Sequence, residues 1–146
     1  MQSLNPYNPP RSVVTEINDE PFGNVIEGLS VSEKWKIRFR AIALAGGPKM
    51  PNLKNLPKSD RRKAYGLNIL AFLFGPFYYM AKGMWKRGLA LFAVLLVVVI
   101  ALGFVLEHFG LGRVSNSLGY GVGAVFGLRA NIDYFKKMVL NNNEWW

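Results

Sequence analysis

The chain has 146 residues, of which 51% are hydrophobic and 14% aromatic, and it carries a formal net charge of +9 with a pI near 10. It contains no cysteine, which excludes disulfides, thiol nucleophiles and cysteine-ligated metal sites. A basic balance can indicate nucleic-acid binding, but basic residues beside long apolar runs are more typical of membrane proteins that contact anionic lipid. We therefore expect an anionic membrane as a partner, and not nucleic acid.

Prolines and charges are concentrated in the first 63 residues, which hold seven of the eight prolines and eleven of the eighteen basic residues. Residues 1–29 show no sustained hydrophobic period and are predicted to form a flexible N-terminal tail. Their lack of an apolar run of signal-peptide length implies that any membrane insertion uses internal segments.

Residues 30–63 are predicted to form a basic cytoplasmic amphipathic helix and a proline-rich linker. The capping-box pattern Ser30-x-x-Glu33 should start a helix that runs to about Ala45 and stops at Gly46-Gly47-Pro48. Its candidate membrane-surface residues are Lys34, Trp35, Lys36, Arg38, Phe39 and Arg40. Two alternatives stay open: the strict alternation over residues 34–40 also fits a strand, and a helix here can either lie among lipid headgroups or pack on the rest of the protein. After the linker, Ser59-Asp60 should cap a second helix that begins on the basic residues Arg61, Arg62 and Lys63.

The apolar stretch 65–81 stands between two basic clusters and is interrupted by Gly75 and Pro76. The second cluster is formed by Lys82, Lys86 and Arg87. Because basic ends favour the cytoplasmic side, both ends should lie there, which requires the backbone to turn at Gly75-Pro76 in a re-entrant hairpin. A kinked helix that crosses the membrane is the alternative. Tyr78, Tyr79 and Trp85 are expected to anchor the segment at the membrane interface.

Two further apolar segments are predicted to be transmembrane helices. Residues 88–106 contain no charge and reach the length needed to cross a bilayer. Residues 114–128 are richer in glycine, and Gly119, Gly123 and Gly127 recur every four residues, which is the pattern of closely packed membrane helices. We expect this stripe to pack against the preceding helix, with a contact between two copies of the chain as the alternative. Together, residues 64–140 form the predicted membrane domain, and the C-terminal tail 141–146 ends in two interfacial tryptophans, Trp145 and Trp146.

No catalytic constellation is recognisable in the sequence. His108 is the only histidine and has only Glu107 as an acidic neighbour, which is more typical of a polar helix end than of a metal site. No Asp or Glu lies within 65–81, 88–106 or 114–128, so a proton relay at membrane depth is not expected. Asn68 is expected to make hydrogen bonds between helices. We predict no enzyme activity, no cofactor and no metal, and can identify no small-molecule substrate.

The residues Phe72-Leu-Phe-Gly-Pro-Phe-Tyr-Tyr79, followed by Lys82-Gly-Met-Trp-Lys-Arg-Gly88, resemble the hallmark of a bacterial family of small membrane proteins known as domain of unknown function 2628. Lys34-Trp35, Phe39 and Gly46-Gly47 are also similar to that family. The resemblance covers roughly residues 30–130 and implies a multi-pass protein of the bacterial inner membrane, but it implies no activity.

The sequence therefore predicts an all-α membrane protein with a cytoplasmic amphipathic helix, a broken hairpin and two transmembrane helices. Both termini should be cytoplasmic. The expected function is that of a non-catalytic interaction module that binds a protein partner at the membrane surface. The alternative is an oligomeric channel, holin-like or transport component that assembles through the glycine stripe.

Overall fold

The computed structural model describes residues 22–115 and 117–145, and every regular element in these residues is helical. In this part of the chain the α-helices are α1 (Gly23–Glu27), α2 (Glu33–Leu44), α3 (Lys58–Ala64), α4 (Ile69–Phe74), α5 (Pro76–Ala81), α6 (Trp85–His108), α7 (Gly112–Ser115) and α8 (Leu118–Met138). Two 3₁₀ turns, Gly47–Lys49 and Leu53–Asn55, connect α2 to α3. The predicted all-α fold is confirmed for the described residues, and the alternative of a strand over residues 34–40 is wrong.

The folded region begins earlier than the sequence indicates. Residues 23–27 form α1, which packs against α2 and buries Ile26 completely. The ring of Phe22 meets the ring of Phe135 edge-on, with centroids 6.0 Å apart. The prediction of a flexible tail up to residue 29 is therefore wrong for residues 23–27, because this short segment carries an apolar side chain that fits the core. The rest of the predicted tail, residues 1–21, lies outside the described residues.

Two predicted helix starts are displaced. α2 begins at Glu33 with Ser32 as its N-cap, and Ser32 makes no side-chain hydrogen bond to the helix. Ser30 lies two residues before that cap, so the predicted capping box does not form. α3 begins at Lys58 after Pro57, not on a Ser59-Asp60 cap, since the restricted backbone of proline already sets the entry to the helix. The predicted stop of α2 is confirmed: Gly46 follows the helix with a φ of 94°.

The backbone break at Gly75-Pro76 is confirmed. Gly75 has φ 47° and ψ −119°, a conformation that suits glycine, and Pro76 is the first residue of α5. Both long helices cover the break, as expected for irregular backbone. A Cβ atom at Gly75 would lie 3.6 Å from the ring of Phe126, and a Cβ atom at Gly88 would lie 3.5 Å from the carbonyl oxygen of Pro76.

Among the described residues, α6 is the one helix that is long and apolar enough to cross a membrane. It has 24 residues, and only 6% of its apolar 18-residue window is buried. The predicted second transmembrane helix at residues 114–128 is not confirmed. α8 starts later, at Leu118, and continues to Met138, and its C-terminal half carries Arg129 and Asp133 and is largely buried.

The glycine stripe packs within the chain, but on a different partner from the one predicted. A Cβ atom at Gly123 would lie 2.7 Å from the carbonyl oxygen of Phe72, and one at Gly127 would lie 3.2 Å from the carbonyl oxygen of Asn68. The partner is thus α4 and the residue before it, not α6. The close approach lets the backbone N–H of Asn68 donate to the backbone carbonyl of Gly127 at 3.0 Å. Gly119 has no atom within 4 Å of the corresponding position.

The core lies where α2, α5 and the C-terminal half of α8 meet the first turns of α6. Its largest fully buried apolar side chains are Ile26, Phe39, Ile42, Tyr79, Met84, Phe126 and Phe135. Aromatic contacts join the elements, including Phe39 with Phe135 at 5.8 Å and Tyr79 with Phe126 at 5.4 Å between centroids. Trp35 lies at the edge of this core, where its ring meets Tyr134 edge-on at 4.6 Å.

Candidate functional site

A crevice with a volume of about 240 Å³ opens beside Trp35, between the start of α2 and the two halves of the broken segment. We call it the Trp35 crevice. Its lining combines three cations, one aromatic wall, polar groups and one apolar residue: Lys34, Arg38, Lys82, Trp35, Ser32, Asn68, Tyr78 and Leu70. Here the fold brings Lys82 beside Lys34, Trp35 and Arg38 of α2, from which it is distant in sequence.

Two of these cations share the ring of Trp35. The guanidinium carbon of Arg38 lies 5.1 Å from the ring centroid, and Nζ of Lys82 lies 5.2 Å from it. Lys82 also lies 4.9 Å from the centroid of Tyr134. Cation–π contacts of this kind stabilise a cation without neutralising it. The two positive charges are therefore held about 10 Å apart or closer, where their repulsion is about 2 kcal/mol at an effective dielectric constant near 20, before screening by salt.

No carboxylate of the described residues lies within 4.0 Å of Lys34, Arg38 or Lys82. Burial lowers the pKa of the Arg38 guanidinium below its ordinary value. This direction means that the surroundings disfavour the positive charge, although the group stays protonated at neutral pH. The crevice thus concentrates positive charge that no carboxylate of the described residues pairs with directly.

The floor of the crevice is a hydrogen-bonded network centred on two buried asparagines. Asn68 donates through Nδ2 to the Tyr78 hydroxyl at 2.9 Å and to Oδ1 of Asn131 at 3.1 Å. Oδ1 of Asn131 also accepts from Arg38 at 3.1 Å, and its amide donates to the carbonyl of Gly66 at 2.6 Å. The predicted interhelical role of Asn68 is confirmed. Through Asn131, the network fixes the position of Arg38 and leaves its other donors available.

A second polar centre ties the first turns of α6 to α8. Asp133, which is 2% exposed, accepts from the Tyr79 hydroxyl at 3.0 Å and lies 3.6 Å from Nε of Arg129. Arg87 is 3% exposed and donates to the backbone carbonyl of Asp133 at 3.1 Å and to the side chain of Asn142. The Arg129–Asp133 contact lies within α8, whereas the contacts of Tyr79 and Arg87 join elements that are distant in sequence. This centre therefore has the character of a structural clamp.

A larger crevice, of about 560 Å³, lies between the 3₁₀ turn at Gly47–Lys49 and the end of α8. It also holds two cations, Lys49 and Lys136. Nζ of Lys136, however, lies 4.0 Å from Asp133, so part of its charge is compensated. The Trp35 crevice is for this reason the better candidate for a site that recognises an anion.

The other residues of α2 that were predicted to contact the membrane contact protein instead. Phe39 is completely buried, and Lys36 and Arg40 both pair with Glu27 of α1. In this fold the apolar face of α2 contacts protein, so the alternative in which the helix packs on the rest of the chain describes Phe39 correctly. The hydrogen bond from Arg40 holds the pKa of Glu27 below its usual range.

The two basic clusters also differ in accessibility. Arg62 is exposed, Arg61 is half-buried, and Lys63 pairs with Asp60 at 2.7 Å. In the second cluster Lys86 is half-buried, whereas Arg87 is part of the clamp at Asp133. The proposed surface role of Arg87 is wrong for this fold, because its side chain is buried and hydrogen-bonded.

The aromatic residues expected at the membrane interface divide in the same way. Tyr78 and Tyr79 are 7% and 0% exposed, so they are core residues and not anchors in this fold. Trp85 and Trp145 are about half exposed, and their rings meet edge-on at 5.8 Å. These two remain available for an interfacial role, and Trp146 lies outside the described residues.

Sequence reasoning missed the two buried polar centres, apart from Asn68. The predicted third segment ended at residue 128, which excluded Asn131 and Asp133 from consideration. A signal was present, since the apolar spacing of Phe126, Ala130 and Tyr134 continues one helix face past that point. Among the described residues, no group of three or more metal-ligating side chains comes together, and both Glu107 and His108 are exposed.

A family model described as "Protein of unknown function (DUF2628)" matches residues 30–139. The match covers most of the chain, and the chain therefore belongs to this family. It includes the Trp35 crevice and both polar centres. No curated protein and no solved structure matches the chain.

Proposed function

We propose that this member of the DUF2628 family is a small bacterial inner-membrane protein that acts as a non-catalytic interaction module. In this proposal α6 crosses the bilayer, and the head, formed by α1–α5 and residues 126–145, binds a partner at the cytoplasmic surface. The observation that carries the proposal is the contrast within α6. Its first turns, with Arg87, Gly88 and Leu91, are buried in the head, whereas the following apolar turns have almost no protein around them.

The exposed apolar face of the hairpin formed by α4 and α5 supports contact between this part of the head and lipid. Six large apolar side chains of α4 and α5 are at least half exposed: Ile69, Leu70, Leu73, Phe74, Phe77 and Met80. An apolar patch of this size is unusual on a protein surrounded by water. A re-entrant hairpin in the cytoplasmic leaflet would cover it with acyl chains, and α4 would in turn shield α8.

The distribution of charge supports the orientation. Between Gly88 and Leu128 the only Lys or Arg is Arg113, in the short helix α7 between α6 and α8. Excess Lys and Arg mark the cytoplasmic side of a membrane segment. The head and both termini are therefore proposed to be cytoplasmic, with α8 bringing the chain back from the far side.

Cysteine labelling tests this arrangement, and the native chain has no cysteine that would interfere. We would introduce Ser59→Cys in the head, Leu111→Cys in the turn after α6 and Asn143→Cys near the C-terminus, all at exposed positions. In intact spheroplasts an impermeant maleimide should label Leu111→Cys only, and lysis should expose the other two. Labelling of Ser59→Cys from outside, or extraction of the protein by alkaline carbonate, would contradict the proposal.

An oligomeric channel or transport component is the second candidate, and one observation favours it. A Cβ atom at Gly119 would meet nothing within 4 Å, so this part of the glycine stripe has room for a second copy of the chain. Reconstituted protein should leave dye-loaded liposomes sealed if it is an interaction module. Leakage that Gly119→Leu abolishes would favour the channel.

A further inference from the structure

We infer that the Trp35 crevice is a binding site for one phosphate group, supplied by the headgroup of an anionic phospholipid. Phosphate is the anion that fits the lining, because Lys and Arg donors can surround its oxygens from several directions. The lipid part of this inference rests on the proposed membrane function, whereas the phosphate part rests on the crevice alone.

The first step of the argument is the uncompensated charge. Arg38 and Lys82 are held beside the same Trp35 ring, and Lys34 lines the same crevice. A bound anion would relieve their mutual repulsion and restore a favourable environment for the partly buried Arg38. Only one of its hydrogen-bonding nitrogens is engaged by Asn131.

The second step is the neutral and polar lining between the cations. Ser32, at the N-terminus of the 12-residue helix α2, lies at the crevice, so the positive end of the helix dipole adds to the field of the side chains. The Tyr78 hydroxyl accepts from Asn68 and can donate its own proton to an anion. No acidic residue lines the crevice.

The third step identifies the source of the phosphate. Leu70 lines the crevice and is 56% exposed on the apolar face of the hairpin. A phosphate in the crevice would therefore lie at the boundary between the basic lining and the apolar patch. A phospholipid has the same arrangement, with its acyl chains directly next to its phosphate, whereas free phosphate would make no use of Leu70.

The test compares two pairs of charge removals in the detergent-solubilised full chain. Lys34→Gln with Lys82→Gln removes two crevice charges whose amino groups make no hydrogen bond within the described residues. Lys54→Gln with Lys58→Gln removes two exposed charges outside the crevice. The probes are dihexanoyl phosphatidylglycerol, dihexanoyl phosphatidylcholine and inorganic phosphate, and binding is followed by calorimetry and native mass spectrometry.

We expect one molecule of phosphatidylglycerol to bind the native chain. The crevice pair should weaken this binding about 30-fold, at about 1 kcal/mol for each charge, and the control pair less than twofold. Selective binding of the lipid identifies a headgroup as the source, and competition by inorganic phosphate at similar concentrations identifies free phosphate instead. Equal weakening by the two pairs, or no binding of either anionic probe, overturns the site. Wrong orientation in the cysteine experiment would overturn the membrane function without changing these titrations.

Discussion

Replacement of single glycines in α8 by alanine tests the packing of α8 on α4 most directly. Gly119 lies in the first turn of α8, and Gly123 and Gly127 lie in its interior. Alanine favours the helix over glycine at all three positions, and the gain is smallest in the first turn. Their surroundings differ. A Cβ atom at Gly119 meets nothing within 4 Å, whereas one at Gly123 would lie 2.7 Å from the carbonyl oxygen of Phe72, which is backbone and cannot rotate away.

The expected magnitudes follow from these distances. Gly119→Ala should gain up to about 1 kcal/mol from helix propensity. Gly123→Ala has a gain of the same order but must displace α4, and overpacking of this kind typically costs about 1–3 kcal/mol. The difference between the two variants should therefore be about 1–3 kcal/mol in favour of Gly119→Ala. Gly127→Ala should fall between them, since its nearest atom, 2.7 Å away, is the movable end of the Leu67 side chain.

Thermal unfolding in one detergent, followed by intrinsic fluorescence, measures this difference. For a chain of this length, 1 kcal/mol corresponds to about 4 °C in Tm, so the two variants should differ by roughly 4–12 °C. Equal Tm values would refute the close contact between Gly123 and α4. If Gly119→Ala alone changed the oligomeric state, the open part of the stripe would be a contact between copies of the chain.

Two further predictions concern the polar contacts. Asp133→Ala should lower the free energy of unfolding by about 2–3 kcal/mol, because it removes the carboxylate that joins α8 to α5. Tyr79→Phe should lower it by about 1 kcal/mol, because it removes one hydrogen bond. Denaturant titration measures both losses, and equal losses would contradict the structural clamp at Asp133. Because hydrogen bonding to Arg40 lowers the pKa of Glu27, its carboxylate stabilises the fold above the ordinary value of 4.5, and this contribution is lost as the pH falls through the lowered pKa. The Tm difference between the native chain and Glu27→Gln should thus be present at pH 7 and shrink below pH 4.5, and an undiminished difference in acid would argue against this ion pair.

The parts of the fold that the sequence predicted correctly are those set by local chemistry. The charge-free stretch 88–106 has the length and composition of a long apolar helix, and glycine followed by proline at positions 75 and 76 disfavours a continuous helix. The stop of α2 at Gly46 belongs to the same class. None of these three features depends on tertiary contacts between helices.

Two errors are local, since the predicted caps at Ser30 and at Ser59-Asp60 do not form. The errors at the candidate site concern contacts between distant elements. Arg87 looks like a surface cation because it follows Lys86, and only the arrival of Asp133 and Asn142 beside it makes burial favourable. In the sequence, Tyr78 has the features of an interface anchor, but in the fold its ring is buried and its hydroxyl accepts a hydrogen bond from Asn68. The glycine stripe predicts a close neighbour but contains no information on which helix that neighbour is. Four residues of the Trp35 crevice, Lys34, Trp35, Arg38 and Lys82, were predicted as membrane-surface residues, but the crevice itself becomes visible only in the folded structure.

The burial of Arg87, Gly88 and Leu91 also has a mechanical consequence. α6 leaves the head without a flexible linker, because its first two turns are part of the core. Residues 88–106 extend about 28 Å at 1.5 Å per residue, close to the thickness of a bilayer's hydrocarbon core. A thinner bilayer would be matched by tilting the helix. For a chain whose α6 crosses the bilayer, the head would rotate with it as a rigid lever, so that membrane thickness would determine how closely the Trp35 crevice faces the headgroups.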